Sequence, residues 1–235
     1  MKTVIIIPYV APMYDSEDTL NLALQSIKRY FQGDFEVRIV GKHNEGIDDD
    51  GRFVWMDVKE RGESQHTDMV RRITRALTKK DKEFILWHDD MFAVNEVSAD
   101  EIRQPRAITS SILSSQDSDN YYLRDMHYTL EKLRKAGITY MFNYTIHCPV
   151  MYQVDRFMKM VMQYDMENVP LDFEMLYFNL YFREPQVLKD DNNDWRLMMD
   201  DLHKPPLDRP RFIGLNNRFN NKDYLNDLRD RILKQ

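Results

Sequence analysis

Residues 84–92 read Phe-Ile-Leu-Trp-His-Asp-Asp-Met-Phe. The groups with chemistry are His88, Asp89 and Asp90, set at the end of an apolar run. Adjacent carboxylates repel each other and resist burial, so a fold that holds them together must offset the charge. Hard oxygen ligands at a strand end suit a divalent cation such as Mn or Mg. A cation bound there would neutralise a diphosphate leaving a substrate. The alternative is an acidic turn in solvent after an edge strand. The residues alone leave both open.

Other segments carry groups of matching chemistry. His66 to Leu77 has helical spacing, with Asp68 in its first turn and Arg71 and Arg72 one turn further on. A guanidinium there could grip diphosphate oxygens in a bidentate way, or belong with Arg75 to a solvated face. In Tyr144–Val150, His147 precedes Cys148 and Pro149. A neutral imidazole is a good third ligand for Mn and a good donor to a sugar or phosphate, although a lone histidine is often structural. Cys148 reads as a small packing residue. Asp172 and Glu174 open an apolar helical segment. A carboxylate there could deprotonate an acceptor hydroxyl, and the resemblance given below implies Asp172 first and Glu174 second. Asp172 is equally a good helix N-cap, and Glu174 complements the helix dipole. His203 and Lys204 could close over a diphosphate, but a solvated loop is the plainer reading.

These groups need a scaffold, and the chain is long enough for one. Its 235 residues are 43% hydrophobic, 12% aromatic and 31% charged, which is a globular composition. The net charge of −6 argues against a generic nucleic-acid coat. A single cysteine excludes an internal disulfide and fits a reducing, cytoplasmic setting. The apolar run after Lys2 is too short for a signal peptide and reads as a buried strand. No stretch approaches the ~20 apolar residues of a membrane span. No glycine-rich phosphate loop is present.

Periodicity predicts strands at 3–10, 35–40, 53–56 and 84–87, and helices carrying Leu20, Leu24, Ile27 and Phe31, then Met69, Ile73 and Leu77. Either Ser64 or Thr67 caps the second helix. Alternation of this kind builds a mostly parallel sheet covered by helices, with ligands at the carboxyl ends of strands. Residues 95–120 read as a polar loop or flap, 140–144 as a strand and 183–210 as irregular. Helices are expected around Met126, Leu130 and Leu133, around Val154, Phe157, Met158, Val161 and Met162, around Phe173 to Leu180, and from Asp223 to Leu233. The reading is one α/β domain over 1–235, and the resemblance described next implies a nucleotide-sugar-binding half (1–95) and a helical acceptor-side half (96–235).

The strand ending at Pro8, the helix LNLALQSIKRYF, the strand FEVRIVG and the segment FILWHDDMF together resemble the nucleotide-binding half of a GT-A-fold glycosyltransferase of family 2. His-Asp-Asp resembles that family's Asp-x-Asp motif with His in first place. It is closer still to the Asn-Asp-Asp variants of short phage and bacterial sugar transferases and of Stealth-type sugar-phosphate transferases. The resemblance covers residues 3–92, and 140–182 loosely. It implies a GT-A-type sheet and transfer of a sugar from a nucleotide-sugar donor to a hydroxyl, with Mn or Mg as cofactor. It implies Asp90 as metal ligand, His88 and Asp89 beside the donor, and Pro8, Tyr9 and Val10 bordering the nucleotide. His147 matches a His-x-Pro segment of the phage and Stealth-like relatives, as a metal ligand or catalytic group. Asp172 occupies the place of the catalytic base. The Asp that reads the base in family 2 is absent, since strand 35–40 runs into Gly41-Lys42-His43, so the nucleotide is not implied. A modified DNA base or a glycan is the implied acceptor, with no membrane partner. A sugar-phosphate transferase and a non-catalytic nucleotide-binding module are the alternatives.

Overall fold

The computed structural model describes residues 2–9, 17–41, 51–58, 64–108, 121–188, 194–199, 207–215 and 222–234. Val10, His203 and Lys204 lie outside them.

The first part of the chain alternates as its periodicity predicts. It runs β1 (Thr3–Pro8), α1 (Glu17–Tyr30), β2 (Phe31–Gln32), β3 (Phe35–Val40), β4 (Phe53–Met56), α2 (Gln65–Ala76) and β5 (Glu83–Leu86). Ser64 caps α2, its hydroxyl accepting the Thr67 backbone N–H. The chain continues through β6 (Met91–Ala93), β7 (Val97–Ser98), α3 (Ala99–Arg103), β8 (Arg106–Ile108), α4 (Tyr121–Lys135), β9 (Val150–Gln153) and α5 (Val154–Tyr164). It ends with α6 (Phe173–Tyr181), β10 (Gln186–Leu188), β11 (Arg196–Met199), β12 (Phe212–Leu215) and α7 (Lys222–Leu233).

The fold is mixed α/β with a largely parallel central sheet. Its five strands stand in the order β4-β3-β1-β5-β9, and only β9 runs antiparallel. The chain starts in the middle at β1 and adds β3 and β4 on one side. It then crosses over to lay β5 on the other side. Strand order therefore reverses between β1 and β5, and the crevice outside their carboxyl ends is where open α/β sheets bind ligands. Leu20, Leu24 and Ile27 of α1 pack on this sheet. The opposite face of α1, Leu22 and Ala23, packs with Phe92, Ile213, Tyr224 and Leu228 under a second small sheet, β11-β12-β6. Among the described residues no helix is long and apolar enough to cross a membrane.

Four expectations are corrected. Residues 97–108 hold β7, α3 and β8 where a flap was expected, and α3 carries a full capping box between Ser98 and Glu101. Residues 140–144 form no strand, and only Asn143 makes an isolated bridge to Ile108. The strand comes later, at β9. The segment expected to be irregular contributes β10, paired with β8, and β11, paired with β12. These elements are two to four residues long, and distant pairing holds them rather than local pattern. On α5, Val154, Phe157 and Val161 are buried and Met158 packs against the core as expected, but Met162 is 73% exposed and Met160 is buried instead.

Candidate active site

The site begins with a turn between two sheets. β5 ends at Leu86, and the Trp87 N–H donates to Ile6 O at 2.9 Å. The Met91 N–H reaches back to His88 O at 3.2 Å, closing a turn over His88, Asp89 and Asp90. The Leu215 N–H of β12 donates to Asp90 O at 3.0 Å, tying the far side of the turn to the small sheet. Fully buried Trp87 braces it from beneath, its indole N–H donating to Met91 O at 2.9 Å. Trp87→Phe removes that donor and leaves a gap. It is expected to cost about 2 kcal/mol in urea denaturation, measured as a lower midpoint with unchanged slope.

His147 arrives by register. β9 pairs antiparallel with β5, Leu86 opposite Val150 and Glu83 opposite Gln153. β9 starts three residues after His147, so the pairing brings the chain that enters β9 alongside the chain that leaves β5. The approach to His147 is tight: Ile146 N–H donates to Tyr144 O at 2.8 Å, and His147 takes the left-handed region at φ +44°. That conformation is uncommon for a residue with a side chain and often marks a functional position.

His147 Nε2 lies 3.1 Å from Asp90 Oδ1. Both atoms are buried, and neither has a hydrogen-bond partner among the described residues, so the pair is close but not aligned as N–H···O. The His88 ring stands 5.4 Å from the His147 ring, centroid to centroid. His88, Asp89, Asp90 and His147 each keep partial solvent access. Burial, then the His147 charge, lowers His88 to about 4, against the pull of Asp90. Its ring is therefore neutral at ordinary pH. Burial, then the Asp90 charge, raises Asp89 to about 7. Burial also pushes Asp90 up, but His147 and His88 outweigh it and hold Asp90 below the usual carboxylate range. Below about pH 7 the acidic pair thus carries one negative charge, on Asp90.

The donor set fits a divalent cation bound with help from substrate. Asp90 Oδ1 and His147 Nε2, 3.1 Å apart, would both be available to hold a single divalent cation. One carboxylate plus one imidazole suits Mn better than Mg. Among the described residues no group of three or more His, Cys, Asp or Glu side chains forms a full metal cage. A partial set is what such cations use when substrate phosphates and water complete the shell.

Pro8 and Tyr9 are buried at the carboxyl end of β1, Tyr9 meeting Trp55 edge-on at 6.0 Å. Asp68, Arg71 and Arg72 line a pocket of about 280 Å³ with Asp57, Arg75 and Glu167. Arg71 Nη2 donates to Asn168 Oδ1 at 3.3 Å. Arg72 is buried, and its Nη1 donates to Tyr9 O and Val40 O, each at 3.2 Å. It thereby ties the carboxyl ends of β1 and β3 together.

Asp172 is the N-cap of α6: 2% exposed, it accepts the Met175 N–H at 2.9 Å. Its own N–H donates to Thr129 Oγ1 at 2.8 Å. Glu174, one step into the helix, is partly accessible and has no hydrogen bond or ion pair among the described residues. Burial, then the charge of Asp172, raises its carboxyl well above the usual range. It is also close enough to Cys148, the neighbour of His147, for its charge to act on that thiol. Burial pushes the Cys148 thiol up to about 12, so it is not a nucleophile. A carboxyl raised by folding binds its proton more tightly in the folded state. Its stabilising contribution is full below the unfolded pKa and falls as pH rises through the folded value. Glu174→Gln should therefore stabilise the protein at pH 8 and leave it unchanged at pH 4, in thermal melts across that range.

Sequence reasoning missed Trp87 as the brace of the turn and Gly41 as the close approach behind Tyr9. It ranked Glu174 second because capping and catalysis ask for the same residue types at a helix start. No protein-family model matches the chain, and no curated protein shows significant similarity to it.

Proposed function

We propose that the protein is a metal-dependent glycosyltransferase that moves a sugar from a nucleotide-sugar donor to a hydroxyl acceptor. One observation carries the reading. Asp90 and His147 meet at 3.1 Å with neither facing atom hydrogen-bonded, just past the carboxyl end of β5. The parallel strands whose order reverses between β1 and β5 support the finer reading of a GT-A-type sheet. Mn or Mg held by Asp90 and His147 would neutralise charge on the departing diphosphate.

The protein groups do the positioning. The turn 88–90, pinned by β12 and Trp87, holds Asp90 in place before any ligand binds. Neutral His88 can hydrogen-bond a donor hydroxyl. Glu174 is the proposed base, since Asp172 is shielded and occupied as a cap. The Glu174 carboxylate takes the acceptor hydroxyl proton as the new bond to the anomeric carbon forms and the bond to diphosphate breaks. With its pKa raised by burial, the Glu174 carboxylate is a stronger base than an ordinary one. The buried, unpaired thiol suits a reducing cytoplasm.

A thermal-shift panel of nucleoside diphosphates and nucleotide-sugars, with and without Mn, tests the reading. One base should raise the melting temperature by about 5 °C, and only with Mn. A Mn-independent shift would indicate a binding module without the chemistry. Release of a nucleoside monophosphate on turnover would indicate sugar-phosphate transfer instead. No shift anywhere in the panel would reject the proposal.

A further inference from the structure

A recess of about 240 Å³ lies at the far end of α6, between the chain leaving α4 and the residues after α6. Its frame is rigid without a ligand. Asn179, 4% exposed, accepts the Phe142 N–H at 2.8 Å and donates to Phe142 O at 3.0 Å and Met175 O at 2.9 Å. The Tyr144 hydroxyl donates to Phe182 O at 3.0 Å, fixing the opposite wall. The buried amide thus spends its hydrogen bonds shaping the backbone of the recess.

What the recess presents is aromatic and donor-rich. Tyr140 is 76% exposed and meets the Phe142 ring edge-on at 5.0 Å. Phe182 and Arg183 line the other side. The Thr139 hydroxyl, the Tyr140 phenol and the Arg183 guanidinium have no hydrogen bond or ion pair among the described residues. Binding pockets for small ligands combine apolar rings with a few such convergent polar groups.

We propose that this recess is a subsite for an acidic sugar residue of a glycan acceptor, an inference that rests on the transferase reading above. Aromatic faces pack the C–H face of a sugar ring, and the free hydroxyls pair with its oxygens. A guanidinium matches a carboxylate bidentately. A nucleic-acid acceptor would need a track of cations for successive phosphates. Here Arg183 is followed by Glu184, and the chain carries −6 overall. Glu174 and Phe182 are eight residues apart at the two ends of α6, about 12 Å along a helix. That separates the subsite from the proposed base by the length of a short oligosaccharide.

Saturation-transfer NMR with uronate-ended oligosaccharides and their neutral counterparts tests this on the full chain. The uronate form should bind better, and Tyr140→Ala and Arg183→Gln should each weaken it about tenfold. Arg183→Gln should also erase the preference over the neutral form. Both side chains are exposed, so folding and the Mn-dependent nucleotide shift should not change. Three results would overturn the subsite: no oligosaccharide binding at millimolar concentration beside an intact nucleotide shift, binding that both variants retain, or binding of single-stranded DNA in its place. Oligosaccharide binding lost in the variants, with no nucleotide shift in wild type, would keep the subsite and overturn the transferase reading.

Discussion

Asp90→Asn is expected to cut turnover by roughly 10³-fold or more while the protein stays folded. Asparagine keeps the volume and the backbone, so the Leu215 N–H to residue-90 O bond survives. What goes is the negative charge facing His147 Nε2. Stability feels two opposing effects. Asp90, held below the usual range, loses an interaction present above about pH 4, while Asp89 loses the neighbour that helps raise it to about 7. The net change should stay within about 1 kcal/mol. His147→Gly is the companion. It removes the imidazole and relaxes a backbone at φ +44°, so stability should hold or rise by up to about 1 kcal/mol while Mn binding is lost. Two inactive variants no less stable than wild type would place their effect on chemistry rather than folding. Full Mn-dependent turnover by Asp90→Asn, measured with the nucleotide-sugar that the panel identifies, would sink the assignment.

The His-Asp-Asp turn was legible because an apolar run stops abruptly at charge, and a parallel strand in a covered sheet does just that. The same logic found β1, β3, α1 and α2, whose patterns are long enough to show a period. His147 was legible by type but not by place. The segment before it was expected to be the strand, yet the strand is β9, after it. Antiparallel pairing of β9 with β5 is what delivers His147 to Asp90, and such pairing is a property of two distant segments that neither shows alone. The short strands β6, β8, β10, β11 and β12 were missed for the same reason. Asp172 and Glu174 were legible as a pair, but only packing separates the capping carboxylate from the unpartnered one. In the sequence Arg72 reads either as a diphosphate-gripping cation or as part of a solvated helix face. Its burial depends on the strand-end carbonyls it meets, which no helical pattern reports.

Gly41→Ala should be the most damaging single-atom change near the site. A Cβ at Gly41 would stand 1.9 Å from Tyr9 O, 2.9 Å from Tyr9 C and 3.2 Å from Arg72 Nη1. Neither side can yield cheaply. Gly41 is held by its N–H to Met56 O at 3.0 Å, and Tyr9 by its N–H to Val40 O at 2.9 Å. The Tyr9 ring is set against Trp55, and Tyr9 O accepts from buried Arg72. Making room therefore means parting the carboxyl ends of β1 and β3 and breaking the Arg72 bridge between them. The cost should be about 3 kcal/mol or more, a drop in melting temperature of about 10 °C. Because β1 ends beside the His-Asp-Asp turn, the Mn-dependent nucleotide shift should weaken even at temperatures where the variant is folded. Gly33→Ala is the control. Gly33 has φ +107° and open space around it, so alanine there meets backbone strain alone, about 1–2 kcal/mol, and should leave nucleotide binding intact. If Gly41→Ala proves as mild as Gly33→Ala in denaturant titrations, the strand ends have more freedom than this packing allows. Nucleotide binding would then not depend on the bridge that Arg72 makes.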